Sequence, residues 1–130
     1  MTKRKKRAPP TKYKSRLEKL IADKLGPDYP YESQTIKFVQ PAKKRTYKPD
    51  FEISPVKFIE VKGRLKPEDR MKHLWIKEQH PEVEVYFIFG RPQNRLYKNS
   101  STTYAQWAEE NGFEWVSASD PIPNHWLKGK

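Results

Sequence analysis

The sequence contains no cysteine, and this absence excludes several kinds of site. Disulfide frameworks and thiolate metal centres both need cysteine sulfur, so neither is possible here. The three histidines, His73, His80 and His125, are scattered and do not have the spacing of zinc ligands. Any metal ion bound by this chain is therefore expected to be a hard cation held by carboxylates.

Long hydrophobic runs are also missing. No apolar stretch approaches the length needed to span a bilayer, and no lipidation motif is present. Residues 1–7 lack the apolar segment of a secretory signal. We therefore expect a protein that is not secreted and has no membrane partner.

Acidic residues are few compared with basic ones. The 16 Asp and Glu residues face 27 Lys and Arg residues, which gives a net charge of +11. Such a charge predicts a polyanionic partner, and nucleic acid before a membrane surface. Only 35% of residues are hydrophobic, but 4 Trp, 7 Tyr and 6 Phe can form a small core. At 130 residues the chain fits one domain, part of whose core could come from a second subunit.

The basic residues are concentrated at the N-terminus. Residues 1–14 hold seven Lys or Arg and no acid, and we expect this arm to be disordered in the free protein, ahead of a single domain at 15–130. The arm could neutralise phosphates with little sequence preference. A solubilising tail or a nuclear import signal is the alternative interpretation. The candidate nucleic-acid-binding residues are Lys3, Arg4, Lys5, Lys6, Arg7, Lys12, Lys14, Lys43, Lys44, Arg45, Arg64 and Lys66.

The remaining pattern predicts an α/β fold, with a mixed β-sheet flanked by helices. Three helices are predicted. The first begins at the N-cap Ser15 and ends before Gly26, the second begins at Pro67 and ends before Pro81, and the third begins at Thr103 and ends before Gly112. Their apolar faces include Leu17, Leu20 and Ile21 in the first helix and Met71, Leu74 and Trp75 in the second. Strands are predicted at 31–39, 48–53, 57–62, 83–89, 95–97 and 113–116, with an interruption at 41–45 and a short terminal element at 122–127.

One predicted hairpin carries the residues of chemical interest. If its turn is centred on Pro55, Asp50 lies opposite Glu60, Phe51 opposite Ile59, and Ile53 opposite Lys57. Lys62 then shares a face with Glu60, whereas Phe51, Ile53, Ile59 and Val61 form an apolar stripe on the other face. Two opposed carboxylates repel each other, and Mg²⁺ between them would remove that conflict. Lys62 could orient a water or stabilise charge on an attacked phosphate.

Simpler interpretations remain open for these residues. Asp50 could be a strand-edge acid, and Glu60 with Lys62 an exposed pair that contributes little. Glu18 could bond to the N–H of Ser15 in a capping box, or it could be a further metal ligand. His73 could touch DNA, although a packed or surface histidine is the more common case.

These motifs together resemble those of the phage endonuclease I family, the Holliday-junction resolvases of the phage T-seven type. The resemblance extends over nearly the whole chain after the basic arm. Its most specific stretches are Thr46-Tyr47-Lys48-Pro49-Asp50-Phe51, Phe58-Ile59-Glu60-Val61-Lys62-Gly63, Asp69-Arg70-Met71-Lys72-His73-Leu74, Glu78-Gln79-His80-Pro81 and Leu96-Tyr97-Lys98.

The resemblance implies a restriction-endonuclease-like core of the PD-(D/E)xK type and a homodimer that exchanges strands through a bridge near 39–46. It implies catalysis by Asp50, Glu60, Lys62 and the Glu18 of the other subunit. Two Mg²⁺ ions per site, for which Mn²⁺ could substitute, would be held by Asp50, Glu60, the Val61 carbonyl and Glu18. No small-molecule cofactor is expected. The implied substrate is four-way or otherwise branched DNA in the cytoplasm of a bacterial host.

Two departures from the family pattern stand out. The bridge carries Lys43, Lys44 and Arg45 where less charge is expected, and the segment between Gly26 and Tyr31 is short. Two other functions also remain open: a non-catalytic basic nucleic-acid-binding protein, and a sequence-specific nuclease with the same core.

Overall fold

The computed structural model describes residues 12–40 and 43–128, which form two β-sheets flanked by helices. The helices are α1 (Arg16–Leu25), α2 (Pro67–Gln79), α3 (Tyr104–Glu110) and α4 (Asn124–Leu127). The strands are β1 (Ile36–Gln40), β2 (Lys43–Tyr47), β3 (Phe51–Ser54), β4 (Lys57–Lys62), β5 (Glu84–Phe89) and β6 (Trp115–Ser117). The predicted mixed α/β class is confirmed. No helix in the described ranges is long and apolar enough to cross a bilayer.

The larger sheet has the strand order β3-β4-β5-β6. β3 and β4 form an antiparallel hairpin, and β4 pairs in parallel with β5, as β5 does with β6. A parallel connection needs a crossover, which α2 provides between β4 and β5. β1 and β2 pair antiparallel as a separate two-stranded sheet, which contacts α2.

The core lies on both faces of the larger sheet, because successive side chains of a strand point to opposite sides. In β5, Phe87 and Phe89 face a cluster that includes residues of α2 and α3. Tyr86 and Ile88 face a second cluster with α1 and α4, in which Trp126 stacks on Tyr86 at a ring distance of 4.7 Å. The apolar stripe predicted for the β3-β4 hairpin, with Phe51 and its three neighbours, lies in this second cluster, as expected.

The register of the hairpin differs from the prediction at its turn. Phe51 faces Ile59 as predicted, but Lys57 pairs with Ser54 and not with Ile53. The chain reverses through two residues, Pro55 and Val56, where we expected a three-residue turn. A register shift between Glu52 and Ser54 absorbs the difference and restores the predicted alignment further along the strands.

Other boundaries also move. Positions 43–45 were predicted as part of an interruption at 41–45, but they belong to β2, because their backbone pairs with β1. Tyr31 forms only an isolated bridge to Phe51, and positions 95–97 contribute only a bridge from Arg95 to Thr103. Leu20 and Met71, predicted to be apolar-face residues, are 45% and 44% exposed, because α1 and α2 each bury a narrower stripe.

Candidate active site

Asp50 is held at the entrance to β3 by backbone groups of two neighbouring segments. Its Oδ2 accepts a hydrogen bond from the Val61 N–H at 2.8 Å. Its main-chain carbonyl accepts one from the Glu32 N–H at 3.1 Å. The carboxylate thus takes the place of a backbone partner beside β4, and its position is fixed by the hairpin.

Glu18 reaches the same region from the first turn of α1. Ser15 caps this helix, as predicted, and its Oγ accepts a hydrogen bond from the Glu18 N–H at 3.0 Å. The Glu18 carboxylate, however, accepts from the Lys14 N–H and from the Tyr31 hydroxyl, both at 3.0 Å, and not from the Ser15 N–H. Glu18 is buried, so its role is not limited to an exposed cap.

Three carboxylates converge at this point. Oxygen atoms of Glu18, Glu32 and Asp50 all lie within 4.8 Å of one another. Burial raises the pKa of Asp50, and the charge of Glu60 and a hydrogen bond with Glu18 raise it further, to about 9, against the opposing effect of the Val61 N–H. The uncharged form of Asp50 is therefore favoured at neutral pH as long as no cation is bound.

Glu32 is a member of this group that sequence analysis missed. Its backbone φ is +50°, which lies in the left-handed region that residues other than glycine rarely adopt. Its carboxylate forms ion pairs with Lys14 at 3.2 Å and Lys48 at 3.6 Å. Nothing in the sequence around Tyr31 predicts this conformation, because it depends on the bridge that joins the segment to β3.

Glu60 and Lys62 form an adjoining group on β4. Lys62 Nζ lies 3.3 Å from Glu60 Oε2 and 3.2 Å from Asp69 Oδ1. Tyr47, at the end of β2, donates its hydroxyl to Glu60 Oε1 at 2.7 Å. Glu60 is therefore buried and partnered, in contrast to the exposed charge pair of the simpler interpretation. The predicted sharing of one face by Glu60 and Lys62 is confirmed.

The charge of Lys62 is fixed by its neighbours. Burial lowers the pKa of its ammonium group, but the carboxylates of Glu60 and Asp69 more than compensate and hold the pKa above 10.5. Lys62 is therefore a cation at any pH near neutrality, so it can donate hydrogen bonds and stabilise negative charge but cannot accept a proton.

His73 belongs to the interior beneath this group. It is 1% exposed, and its ring makes edge-on contacts with Tyr47 and Phe87. Burial lowers the pKa of His73 well below 6.5, and the charges of Lys72 and Lys62 lower it further. The ring is thus neutral, and its approach to Glu60 Oε2 at 3.9 Å is not an ion pair. Of the interpretations left open for His73, the packed histidine is confirmed.

The predicted nucleic-acid-binding residues are placed only in part. Lys3, Arg4, Lys5, Lys6 and Arg7 lie outside the described residues, and Lys43 and Lys44 are placed by their backbone in β2. Lys12, Lys14, Arg45, Arg64 and Lys66 are exposed. Contact of any of them with DNA stays a prediction.

The donor set of the site fits a hard divalent cation. Mg²⁺ prefers oxygen ligands and usually binds through a few carboxylates and waters. Glu18, Glu32 and Asp50 offer only such ligands. Burial and the charge of Glu60 raise the pKa of Asp50, and a bound cation would offset both effects by stabilising the charged carboxylate. Among the described residues, Glu60 is not part of this group of three, although its charge acts on Asp50.

A single chain brings these carboxylates together. Within the single chain, Glu18 and Asp50 are neighbours. The reason is topological: β1 and β2 pair as a hairpin, so the chain returns to its own domain where an extended bridge had been expected. Positions 41 and 42, between β1 and β2 in the sequence, lie outside the described residues. The supply of Glu18 by another subunit, which the resemblance implied, stays a prediction.

Comparison with known proteins gives three consistent matches. The model of a family described as phage endonuclease I matches residues 1–130. The chain is 37% identical to Endonuclease I of Escherichia phage T7 over 119 residues, which cover 89% of this chain and 78% of the relative. It is 36% identical to Endodeoxyribonuclease 1 of Enterobacteria phage T3 over 113 residues, 85% of this chain and 74% of the relative.

Proposed function

Since the chain belongs to the phage endonuclease I family, we propose that it is a Mg²⁺-dependent endodeoxyribonuclease that resolves four-way (Holliday) junctions and other branched DNA. The observation that carries this proposal is the convergence of Glu18, Glu32 and Asp50 oxygens within 4.8 Å, next to the buried pair of Glu60 and Lys62. Folding alone gives no reason to gather so many carboxylates, because their repulsion is unfavourable.

Asp50 and Glu18 would hold the cation, joined by Glu60 and the Val61 carbonyl. When bound, Mg²⁺ supplies Lewis acidity at the scissile phosphate and lowers the pKa of a coordinated water. Mn²⁺, which accepts the same oxygen ligands, is expected to substitute. The α1 cap and the Val61 N–H keep Glu18 and Asp50 in place before the substrate arrives.

Lys62 would act on the phosphate itself. Because its pKa is held above 10.5, the ammonium group stays charged and stabilises the negative charge that builds on the phosphate oxygens during attack. Glu60 and Asp69 hold the Nζ atom from two sides, which limits the orientations open to it. Removal of Lys62 should therefore lower kcat and leave junction affinity almost unchanged.

Selectivity for junctions would come from a homodimer. A two-fold axis places two identical active sites symmetrically, so that the two cuts fall at symmetric positions on either side of a four-way junction. The dimer would have a restriction-endonuclease-like core and exchange strands through positions 39–46. In that dimer the β1-β2 hairpin of one chain would open, and the Glu18 of one subunit would join the Asp50 of the other in the arrangement that the single chain forms here. The net charge of +11 supplies the attraction to DNA. The site of action would be the cytoplasm of the bacterial host.

The test is cleavage of a labelled four-way junction and of linear duplex of matched sequence, each with Mg²⁺ and with EDTA. We expect paired cuts in the junction, little cleavage of the duplex, and none with EDTA. Equal cleavage of both substrates would contradict the resolvase proposal and leave a general nuclease. A single cut site in the duplex would indicate a sequence-specific nuclease, and junction binding without any cleavage would indicate a non-catalytic binding protein.

A further inference from the structure

Tyr47 is buried where the two β-sheets meet. It is the last residue of β2, opposite Ile36 of β1, and only 1% of its surface is exposed. Its ring packs edge-on against His73 at 5.0 Å, and Lys72 Nζ lies 5.4 Å from the ring centre. The position of the ring is therefore set by both the β1-β2 hairpin and α2.

In the described part of the chain, the Tyr47 hydroxyl has one hydrogen-bond partner, Glu60. It donates to Glu60 Oε1 at 2.7 Å, and Glu60 is itself only 4% exposed. A hydrogen bond from a neutral donor to a buried carboxylate is among the strong ones in proteins. Burial, followed by the charge of Glu60, holds the pKa of Tyr47 well above 10.0, so the hydroxyl keeps its proton and remains a donor.

This bond makes the two oxygens of Glu60 different. Oε1 is bound by the hydroxyl from one side, and Oε2 faces Lys62 Nζ at 3.3 Å and the neutral ring of His73 at 3.9 Å. Donors on both oxygens restrict rotation of the carboxylate. Without the hydroxyl, Lys62 would be the one charged or hydrogen-bonding group among the described residues that directs Glu60, and its ammonium group is shared with Asp69.

We propose that Tyr47 is a positioning residue that acts through Glu60. Its hydroxyl orients the Glu60 carboxylate for the cation and for Lys62, and it ties that orientation to the packing of the β1-β2 hairpin. The proposal rests on the proposed nuclease function. Groups that hold a metal ligand in place commonly change metal affinity or activity by about 10- to 100-fold when they are removed.

The test compares Y47F with Y86F, which removes a tyrosine hydroxyl of the same kind. The Tyr86 hydroxyl donates to Glu84 Oε2 at 2.6 Å, but it lies in the other core cluster, with α1 and α4. For Y47F we expect kcat to fall about 10-fold or more, junction Kd to change less than about 2-fold, and the Mg²⁺ concentration at half-maximal rate to rise about 10-fold. For Y86F all three values should match those of the wild-type protein.

Calorimetric titration with Mn²⁺ gives a readout that does not depend on activity. Binding should weaken about 10-fold in Y47F and stay unchanged in Y86F. In the E60Q background, Y47F should cause no further weakening, because its effect passes through Glu60. Equal values for Y47F and the wild-type protein, or an undiminished effect in the E60Q background, would overturn the proposal.

Two further outcomes are informative. If Y47F does not fold, ¹³C-tyrosine NMR of the wild-type protein replaces it. Titration with Mg²⁺ should then shift the ring signals of Tyr47 and leave those of Tyr86 in place. No shift of the Tyr47 signals would refute the positioning role. If the wild-type protein itself cuts no branched DNA with Mg²⁺, the nuclease proposal fails first. Failure of the Tyr47 proposal alone would leave wild-type cleavage intact.

Discussion

Replacement of Asp50 by asparagine should stabilise the protein in the absence of divalent cations. The asparagine amide has nearly the same shape, its oxygen can accept the Val61 N–H, and its NH₂ group can donate to Glu18. The substitution thus removes a charge that the folded protein disfavours and keeps the hydrogen bonds. Active sites often carry such a cost in stability for the sake of function.

The sign and size of the change in stability expected for D50N follow from the linkage between protonation and folding. Burial, the charge of Glu60 and the hydrogen bond with Glu18 raise the pKa of Asp50 from 3.8 to about 9, so between these values the folded chain binds a proton that the unfolded chain has released. The contribution of Asp50 to the free energy of unfolding is therefore complete below pH 3.8. As the pH rises above that value, the contribution falls by about 1.4 kcal/mol per pH unit. At pH 7 the loss amounts to about 4 kcal/mol, which is the upper limit of the gain expected for D50N.

The assay is urea unfolding in EDTA at several pH values between 5 and 8. The wild-type protein should lose stability with rising pH more steeply than D50N, by up to about 1.4 kcal/mol per unit. D120N, which changes an exposed aspartate, is the matched control and should differ from wild type by less than about 0.5 kcal/mol. Parallel pH profiles of wild type and D50N, with no gain for the variant at pH 7, would refute the reasoning.

Three other perturbations follow from the same structure. E60Q keeps an acceptor for the Tyr47 hydroxyl but removes the negative charge of the side chain. The cleavage rate should therefore fall about 100-fold, while the affinity for a four-way junction in a gel-shift assay persists. An unchanged cleavage rate would exclude Glu60 from the active site. W126A removes a side chain that is 0% exposed and stacked on Tyr86, so the free energy of unfolding should fall by about 3–5 kcal/mol in urea titrations, and a loss below about 1 kcal/mol would contradict the described packing. Deletion of residues 1–11, which hold five Lys or Arg, should reduce the slope of log Kd against log salt by at most about 4.5, and an unchanged slope would show that these residues do not contact phosphates.

The elements that sequence predicted best are those with strong local signals. Ser15, Pro67 and Thr103 begin helices as expected, because caps and proline act within one turn. The β3-β4 hairpin and the buried β5 follow from alternation and from a run of apolar residues. The alignment of Phe51 with Ile59 survived an error in the turn because a register shift compensated for it.

The parts that sequence did not predict depend on contacts between distant segments. Glu32 joins the site because its segment bridges to β3, and its φ of +50° has no local signature. The sequence predicts no separate role for Tyr47, because its bond to Glu60 depends on how the β1-β2 hairpin packs beside β4. The position of Glu18 within its own chain likewise follows from that hairpin, which the sequence pattern did not indicate because proline and three positive charges interrupt it.

The most direct test of the account is calorimetric titration of the wild-type protein with Mg²⁺ or Mn²⁺ at pH 7, in buffers of different ionisation enthalpy. If the gathered carboxylates exist to hold a hard cation, the ion should bind and displace about one proton per chain, because the pKa of Asp50 lies near 9 without it. D50N should bind the ion more weakly and displace no proton from this position. Absence of ion uptake by the wild-type protein, even with a junction present, would contradict the account.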